Sequence, residues 1–202
     1  MKDFILKGIS FVFHPLIMPL LGVLFYFSKT PRFIPMPIIK AKIFSIIILT
    51  MVLPMLLFLL LKTVNKVDSI YLKSTRERLI PLLINCIIVV LILLRVLTPN
   101  EIIELYYFFL GILCSTLTCL ILALFKVKAS IHMIAAAGFF MFAVALGIHY
   151  QININGTIAL MMIILGAIAT SRLHLNAHTN QELLIGTIVG LFPQLILVNY
   201  WL

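Results

Sequence analysis

The sequence predicts an all-α fold: a polytopic transmembrane helical bundle of about six or seven spans, with its candidate active-site loops on one membrane face. Three observations carry that expectation. Of the 202 residues, 63% are hydrophobic and only 10% charged, with a mean hydropathy of +1.23. A soluble domain of this length has too little interior to hide so much apolar surface. The apolar residues come in runs long enough to cross a bilayer, and the polar residues gather in the short breaks between them.

A helix needs roughly 20 apolar residues to cross the hydrocarbon core. Runs of that kind predict spans at 5–28, 40–62, 79–98, 103–125, 131–149, 157–171 and 182–201. Lipid offers no partner to backbone N–H and C=O groups, so these runs must be helices, and no alternating pattern points to a barrel. The opening "MKDFILKGISFVFHPLIMPLLGVLFYF" has a positive start. It lacks a small-residue cleavage site, and its apolar stretch is too long for a signal peptide, so it reads as a retained first span. The breaks are "TPRFIPMP", "NKVDSIYLKSTRER", "TPNE", "KVK", "QINING" and "TSRLHLNAHTN", several of them punctuated by Pro or Gly. With no linker or repeat, 1–202 reads as one transmembrane domain.

Individual residues outside the polar breaks receive structural readings. Cys86, Cys114 and Cys119 sit inside apolar runs and read as small packing residues. His14, in "FHPLIMP", reads as structural. Gly186 and Gly190 form a G-x-x-x-G pair suited to close helix packing, and Tyr200 and Trp201 read as an interfacial anchor.

Seven spans alternate between two membrane sides. The breaks at 65–78, 126–128 and 170–181 then share a side with the N-terminus, and they hold the densest polar residues of the chain. His149 falls on the other side. Fifteen Lys and Arg stand against six Asp and Glu, for a net charge of +9. Such an excess suits topology, anionic lipid surfaces or a phosphorylated ligand, and no nucleic-acid partner is expected. The N-terminal side carries ten basic residues against five. Setting aside Lys73, Arg76, Arg78, Lys128 and Arg172, which could serve a ligand, leaves five against five. Charge alone therefore leaves the orientation open.

The break around residue 175 carries the sharpest chemistry. Arg172 precedes His178 by six residues and Glu182 follows it by four. A guanidinium presents a planar fork of donors to phosphate oxygens. An imidazole attacks phosphorus when another group fixes its tautomer, and a carboxylate four residues on shares its helix face. The set reads as clamp, nucleophile and orienter. The same stretch offers a metal-site alternative, with His174, His178 and Glu182 at i, i+4 and i+8 of one helix.

The string Ser171-Arg172-LHLNA-His178-TNQ-Glu182 resembles the third signature of the type 2 phosphatidic acid phosphatase superfamily, S-R-x5-H-x3-D, with Glu where the family has Asp. The family's second signature, P-S-G-H, is partly matched by Ala129-Ser130-Ile131-His132. The first, K-x6-R-P, has a degenerate counterpart in Lys73-STRERLI-Pro81, where Arg78, with Arg76 as reserve, stands out of register. The resemblance covers a core of about 68–190. Unlike the better-known membrane members, whose first two signatures share one loop, this chain has an apolar hairpin, roughly 79–125, between them. The resemblance implies a metal-independent hydrolase of lipid phosphates, with no cofactor. His178 would be the nucleophile, forming a phosphohistidine, Glu182 its orienter and His132 the acid for the leaving group. Arg172, Lys73, Arg78, Arg76 and Ser130 would bind the phosphate. It implies a bacterial inner-membrane enzyme facing the periplasm, among membrane lipids. A transporter or scaffold of the same fold without chemistry is the other class compatible with the degenerate signatures.

Overall fold

Pro15 decides the course of the first span. It has no backbone N–H and pushes the residue before it out of the helical region, so the expected single helix over 5–28 is two. In the computed structural model, which describes residues 2–64 and 74–202, α1 runs Lys2–Val12 and α2 Met18–Lys29. The connection is stitched by Ile17 N–H to the His14 carbonyl at 2.9 Å and by Leu16 N–H to His14 Nδ1 at 3.3 Å. At 1.5 Å per residue α2 covers about 18 Å, too little to cross the bilayer core by itself.

α3 (Met36–Ile47) passes through a π-helical turn, Ile48–Val52, into α4 (Leu53–Thr63) without leaving the helix axis. Pro54, in the first turn of α4, supplies the cause: it removes one donor from the ladder, and the turn before it widens. The remaining elements are α5 (Thr75–Arg95), α6 (Ile103–Leu124), α7 (Ile131–His149), α8 (Asn155–His174) and α9 (Asn180–Leu197), which ends in a 3-10 turn. Among the described residues there is no strand. Six helical stretches among the described residues are long and apolar enough to cross a membrane, the α3–α4 unit and α5 to α9. The chain is an all-α, polytopic integral membrane protein.

Two local devices set where these helices start and stop. α5 begins four residues earlier than the apolar run because Ser74 caps it: Ser74 Oγ accepts from Glu77 N–H at 3.2 Å and donates to Glu77 Oε1 at 2.7 Å. α6, α7 and α8 each end in the same way, with a non-glycine residue at positive φ: Lys126 (62°), Gln151 (52°) and Asn176 (50°). After each, paired backbone bonds close a Schellman motif. For α8 these are Ala177 N–H to the Arg172 carbonyl and Asn176 N–H to the Leu173 carbonyl, both 3.0 Å.

α7 is the central helix, with 56% of its apolar window buried, against 11% for the α3–α4 unit on the periphery. α9 docks directly on α7 through the glycine pair. A Cβ at Gly190 would lie 2.3 Å from the Ile134 carbonyl oxygen, and one at Gly186 would lie 2.7 Å from that of Ser130. The backbones touch where a side chain would stand. At the far end, Phe108 and Phe142 stack with centroids 4.3 Å apart, and the Trp201 ring packs 6.0 Å from Phe142. Trp201 is buried there while Tyr200 is exposed, so only Tyr200 fits the interfacial anchor expected of the pair. The three cysteines are reduced, Cys86 and Cys119 buried and Cys114 half-buried.

Candidate active site

The alternation of the six spans puts the start of α5 and the α6–α7 and α8–α9 connections at one end of the bundle, and the contacts agree, with α1 held against the end of α8 at that same end. Ser130 N–H, at the start of α7, donates to the Glu182 carbonyl at the start of α9 (3.1 Å). Arg78, in the first turn of α5, donates from an Nη to the Ala129 carbonyl at 2.9 Å. Lys128 Nζ donates to the Ala177 carbonyl at 2.8 Å. His132 and His178 therefore stand at the same end, two residues from Ser130 and four from Glu182 respectively. Arg172, His14 and His178 all lie close enough to His132 to act on it electrostatically.

His178 occupies the residue before the α9 N-cap, Thr179, whose hydroxyl accepts from Glu182 N–H at 3.3 Å. The cap turns the Glu182 side chain back toward its own helix start. There, Glu182 Oε2 accepts from His178 Nδ1 at 2.5 Å, and the ring is buried. The expected partnership is present but is reached differently: His178 is outside the helix, and the contact spans the cap, not one helix face. With Nδ1–H committed to the carboxylate, Nε2 keeps its lone pair. Burial pushes the His178 pKa down to about 4, and the nearby Arg78 and Lys128 charges push the same way, while Glu182 opposes them. At neutral pH the ring is uncharged. Lys128 Nζ also stands 3.8 Å from Glu182 Oε2, so the carboxylate that holds the ring is itself paired with a cation.

The second group of site residues is built on α1 and α8. Arg172 is buried near the end of α8, and one Nη donates to Ser10 Oγ at 3.4 Å. Ser10 Oγ and Ser171 Oγ are 2.7 Å apart, and Ser171 Oγ donates to the Leu6 carbonyl at 2.6 Å. His132 Nε2 stands 3.2 Å from the Ser10 carbonyl, so that nitrogen carries the proton. The His14 ring meets His132 edge-on at 5.5 Å. The Schellman bond from Ala177 to the Arg172 carbonyl joins the two groups, because it fixes the path between Arg172 and His178.

Several expectations change in this setting. Ser130 is fully buried, but its hydroxyl caps α7 by accepting from Met133 N–H at 3.5 Å, and its amide is committed to Glu182. It is a strut between α7 and α9, with one hydroxyl proton left to donate, and not an open cradle of donors. Arg76 is exposed while Arg78, two residues on, is buried, so Arg78 is the one of the pair turned into the bundle. Lys73 lies outside the described residues. The helical metal set at 174, 178 and 182 is not formed: the chain leaves the helix after His174, whose ring pairs with Asp3 at 2.6 Å. Among the described residues no group of three or more His, Cys, Asp or Glu is placed to hold a metal ion. Sequence reasoning counted Lys128, in "KVKASIH", among the cations a ligand could use but gave it no place in the site. It missed Ser10 altogether, since a serine in an apolar helix carries no signature.

A second polar cluster lies at the opposite end. Glu104 is fully buried, its carboxylate paired with Arg32 at 2.9 Å and accepting from Tyr150 at 2.9 Å and Tyr26 at 3.4 Å. The His149 ring is 3.6 Å away. This saturated knot ties α2, α6 and α7 together, across the bundle from His178.

Comparison of the chain with known proteins finds no matching family model, no matching curated protein and no matching solved structure.

Proposed function

We propose that the chain is an integral membrane phosphatase that hydrolyses a lipid phosphate or diphosphate through a phosphohistidine at His178, in the manner of the type 2 phosphatidic acid phosphatases. The observation that carries the reading is the His178–Glu182 contact of 2.5 Å beside Lys128 and Arg78. It supplies what a nitrogen nucleophile needs: a fixed tautomer, a neutral ring and cations for the incoming anion.

In the proposed reaction, His178 Nε2 attacks phosphorus and the bond from phosphorus to the lipid oxygen breaks. His132, favoured in its doubly protonated form by the bound phosphate anion, gives that oxygen the proton on Nδ1 and keeps Nε2–H on the Ser10 carbonyl. Glu182 holds Nδ1–H and steadies the positive charge that develops on the phosphorylated ring. Arg172, Arg78 and Lys128 bind the phosphoryl oxygens, exposed Arg76 stands at the rim, and Lys73 is kept as a further phosphate-binding cation. Water then attacks the phosphohistidine, yielding its proton to His132, and inorganic phosphate leaves. Neither metal nor cofactor takes part. A phosphate at the headgroup with its tail in the bilayer matches a site at helix ends. Phosphatidic acid, phosphatidylglycerol phosphate, polyprenyl diphosphate and phosphorylated lipid A all have that chemistry. The proposed location is a bacterial inner membrane, with the site facing the periplasm.

The test is phosphate release by purified protein from those four lipids, with and without EDTA. The expected result is EDTA-resistant release that His178→Ala abolishes. EDTA-sensitive release, or full activity in His178→Ala, would overturn the mechanism. No release from any of the four would favour the scaffold or transporter reading, to which the Glu at the family's Asp position and Ile131 at its Gly position also lend support.

A further inference from the structure

We infer that Ser10, on the N-terminal helix, is a positioning residue for this site, acting through Arg172 with its hydroxyl and through His132 with its carbonyl. The inference rests on the phosphatase reading and extends the site beyond the core of about 68–190 that carries the signatures.

The hydrogens of the serine pair have one consistent arrangement. Ser171 spends its proton on the Leu6 carbonyl at 2.6 Å, so across the 2.7 Å contact Ser10 is the donor and Ser171 the acceptor. Ser10 Oγ is left with lone pairs, and Arg172 donates into one of them. The resulting chain runs from the guanidinium through Ser10 and Ser171 to the Leu6 backbone, with every direction set. Ser10 and Ser171 are both buried, so the chain is shielded from exchange with water. Arginine has a long, rotamer-rich side chain, and holding its fork in advance removes an ordering cost that would otherwise fall on substrate binding.

The carbonyl of the same residue does a different job. Backbone oxygen only accepts, so the 3.2 Å contact with His132 places the ring proton on Nε2. Nδ1 is then the nitrogen that takes up a proton when the phosphate anion binds and passes it to the leaving group. The break at Pro15 matters here: it lets α1 leave the axis of α2 and lie along the end of α8, where Ser10 meets both residues.

The experiment measures phosphate release by the full-length protein, on whichever of the four lipids it hydrolyses, and binding of orthovanadate as a phosphoryl-transfer analogue. Ser10→Ala is expected to raise both KM and the vanadate Kd about tenfold, the loss of one hydrogen bond to a charged group, with kcat changed far less. Ser10→Thr, which keeps the hydroxyl, is expected to restore both. In an Arg172→Ala background, Ser10→Ala is expected to add nothing, whereas a merely structural serine would add its full penalty there. Ring nitrogen shifts of 15N-labelled His132 at pH 8 are expected to report the Nε2–H tautomer. An active wild type with an indifferent Ser10→Ala, a full penalty in the Arg172→Ala background, or an Nδ1–H tautomer overturns this inference alone. A wild type that neither releases phosphate nor binds vanadate overturns the phosphatase reading, and this inference with it.

Discussion

Two histidines at one end of the bundle are given opposite handles. His178 holds a carboxylate with Nδ1, while His132 holds a backbone carbonyl with Nε2. In the proposed mechanism that difference suits His178 to the part of nucleophile, whose developing charge needs an anion behind it, and His132 to that of an acid–base group with a fixed tautomer. It also gives a pH prediction. Burial, Arg78 and Lys128 keep the His178 ring deprotonated down to about pH 4, and the deprotonated form is the proposed nucleophile. Activity should therefore hold through neutral pH and fall as the pH drops through about 4. Glu182 favours the protonated ring, so Glu182→Gln should move that acid limb lower while cutting kcat by roughly 10²- to 10⁴-fold, because orientation is lost. Lys128→Met removes a repelling charge and should move the limb upward. A kcat/KM profile against pH for the three proteins checks all of this, and a limb that stays fixed in both variants would exclude His178 as the group titrating there.

At the scale of elements, the position of the site depends on how closely α7 and α9 approach. Gly190 has no room for a methyl: its Cβ would press on the Ile134 carbonyl at 2.3 Å, and backbone cannot turn aside as a side chain does. Gly190→Ala should cost about 1–3 kcal/mol through overpacking and lower activity by pulling Ser130 from Glu182. Gly166, on α8, has nothing within 4 Å of a built Cβ. Gly166→Ala should be neutral or gain up to about 1 kcal/mol from helix propensity. Thermal unfolding in detergent compares them, and equal transitions for the two variants would contradict the packing account. The G-x-x-x-G spacing was legible in sequence because it depends on helix period alone. The start of α5 was not read from the apolar run, since the Ser74 cap extends the helix through polar residues. Nor was the route from His178 to Glu182, which follows from Asn176 at positive φ closing α8 before His178 is reached.

For the molecule as a whole, hydropathy was enough to read the class and most of the crossings, because burial in lipid constrains long stretches uniformly. What it could not supply was the split of the first span, which turns on one proline, or the fact that α1 reaches the site, which is a contact between residues 10 and 172 with no local trace. The same alternation that gathers the site at one end makes a claim about the membrane. One crossing, α8, separates Asn155 from Asn180, and one more, α9, separates Asn180 from Leu202. In a background with Cys86, Cys114 and Cys119 replaced by alanine, single cysteines at these exposed positions can be tested with a membrane-impermeant maleimide on intact cells. Asn180→Cys should react directly, as a periplasmic site requires, while Asn155→Cys and Leu202→Cys should react only after permeabilisation. The inverted pattern would keep the bundle and move the site to the cytoplasm, where its substrate would have to come from the inner leaflet. Reaction of Asn155→Cys and Asn180→Cys from one side would mean that α8 does not cross. Arg172 and His178 could not then meet a phosphate at the end of the bundle where Arg78, Lys128 and His132 stand.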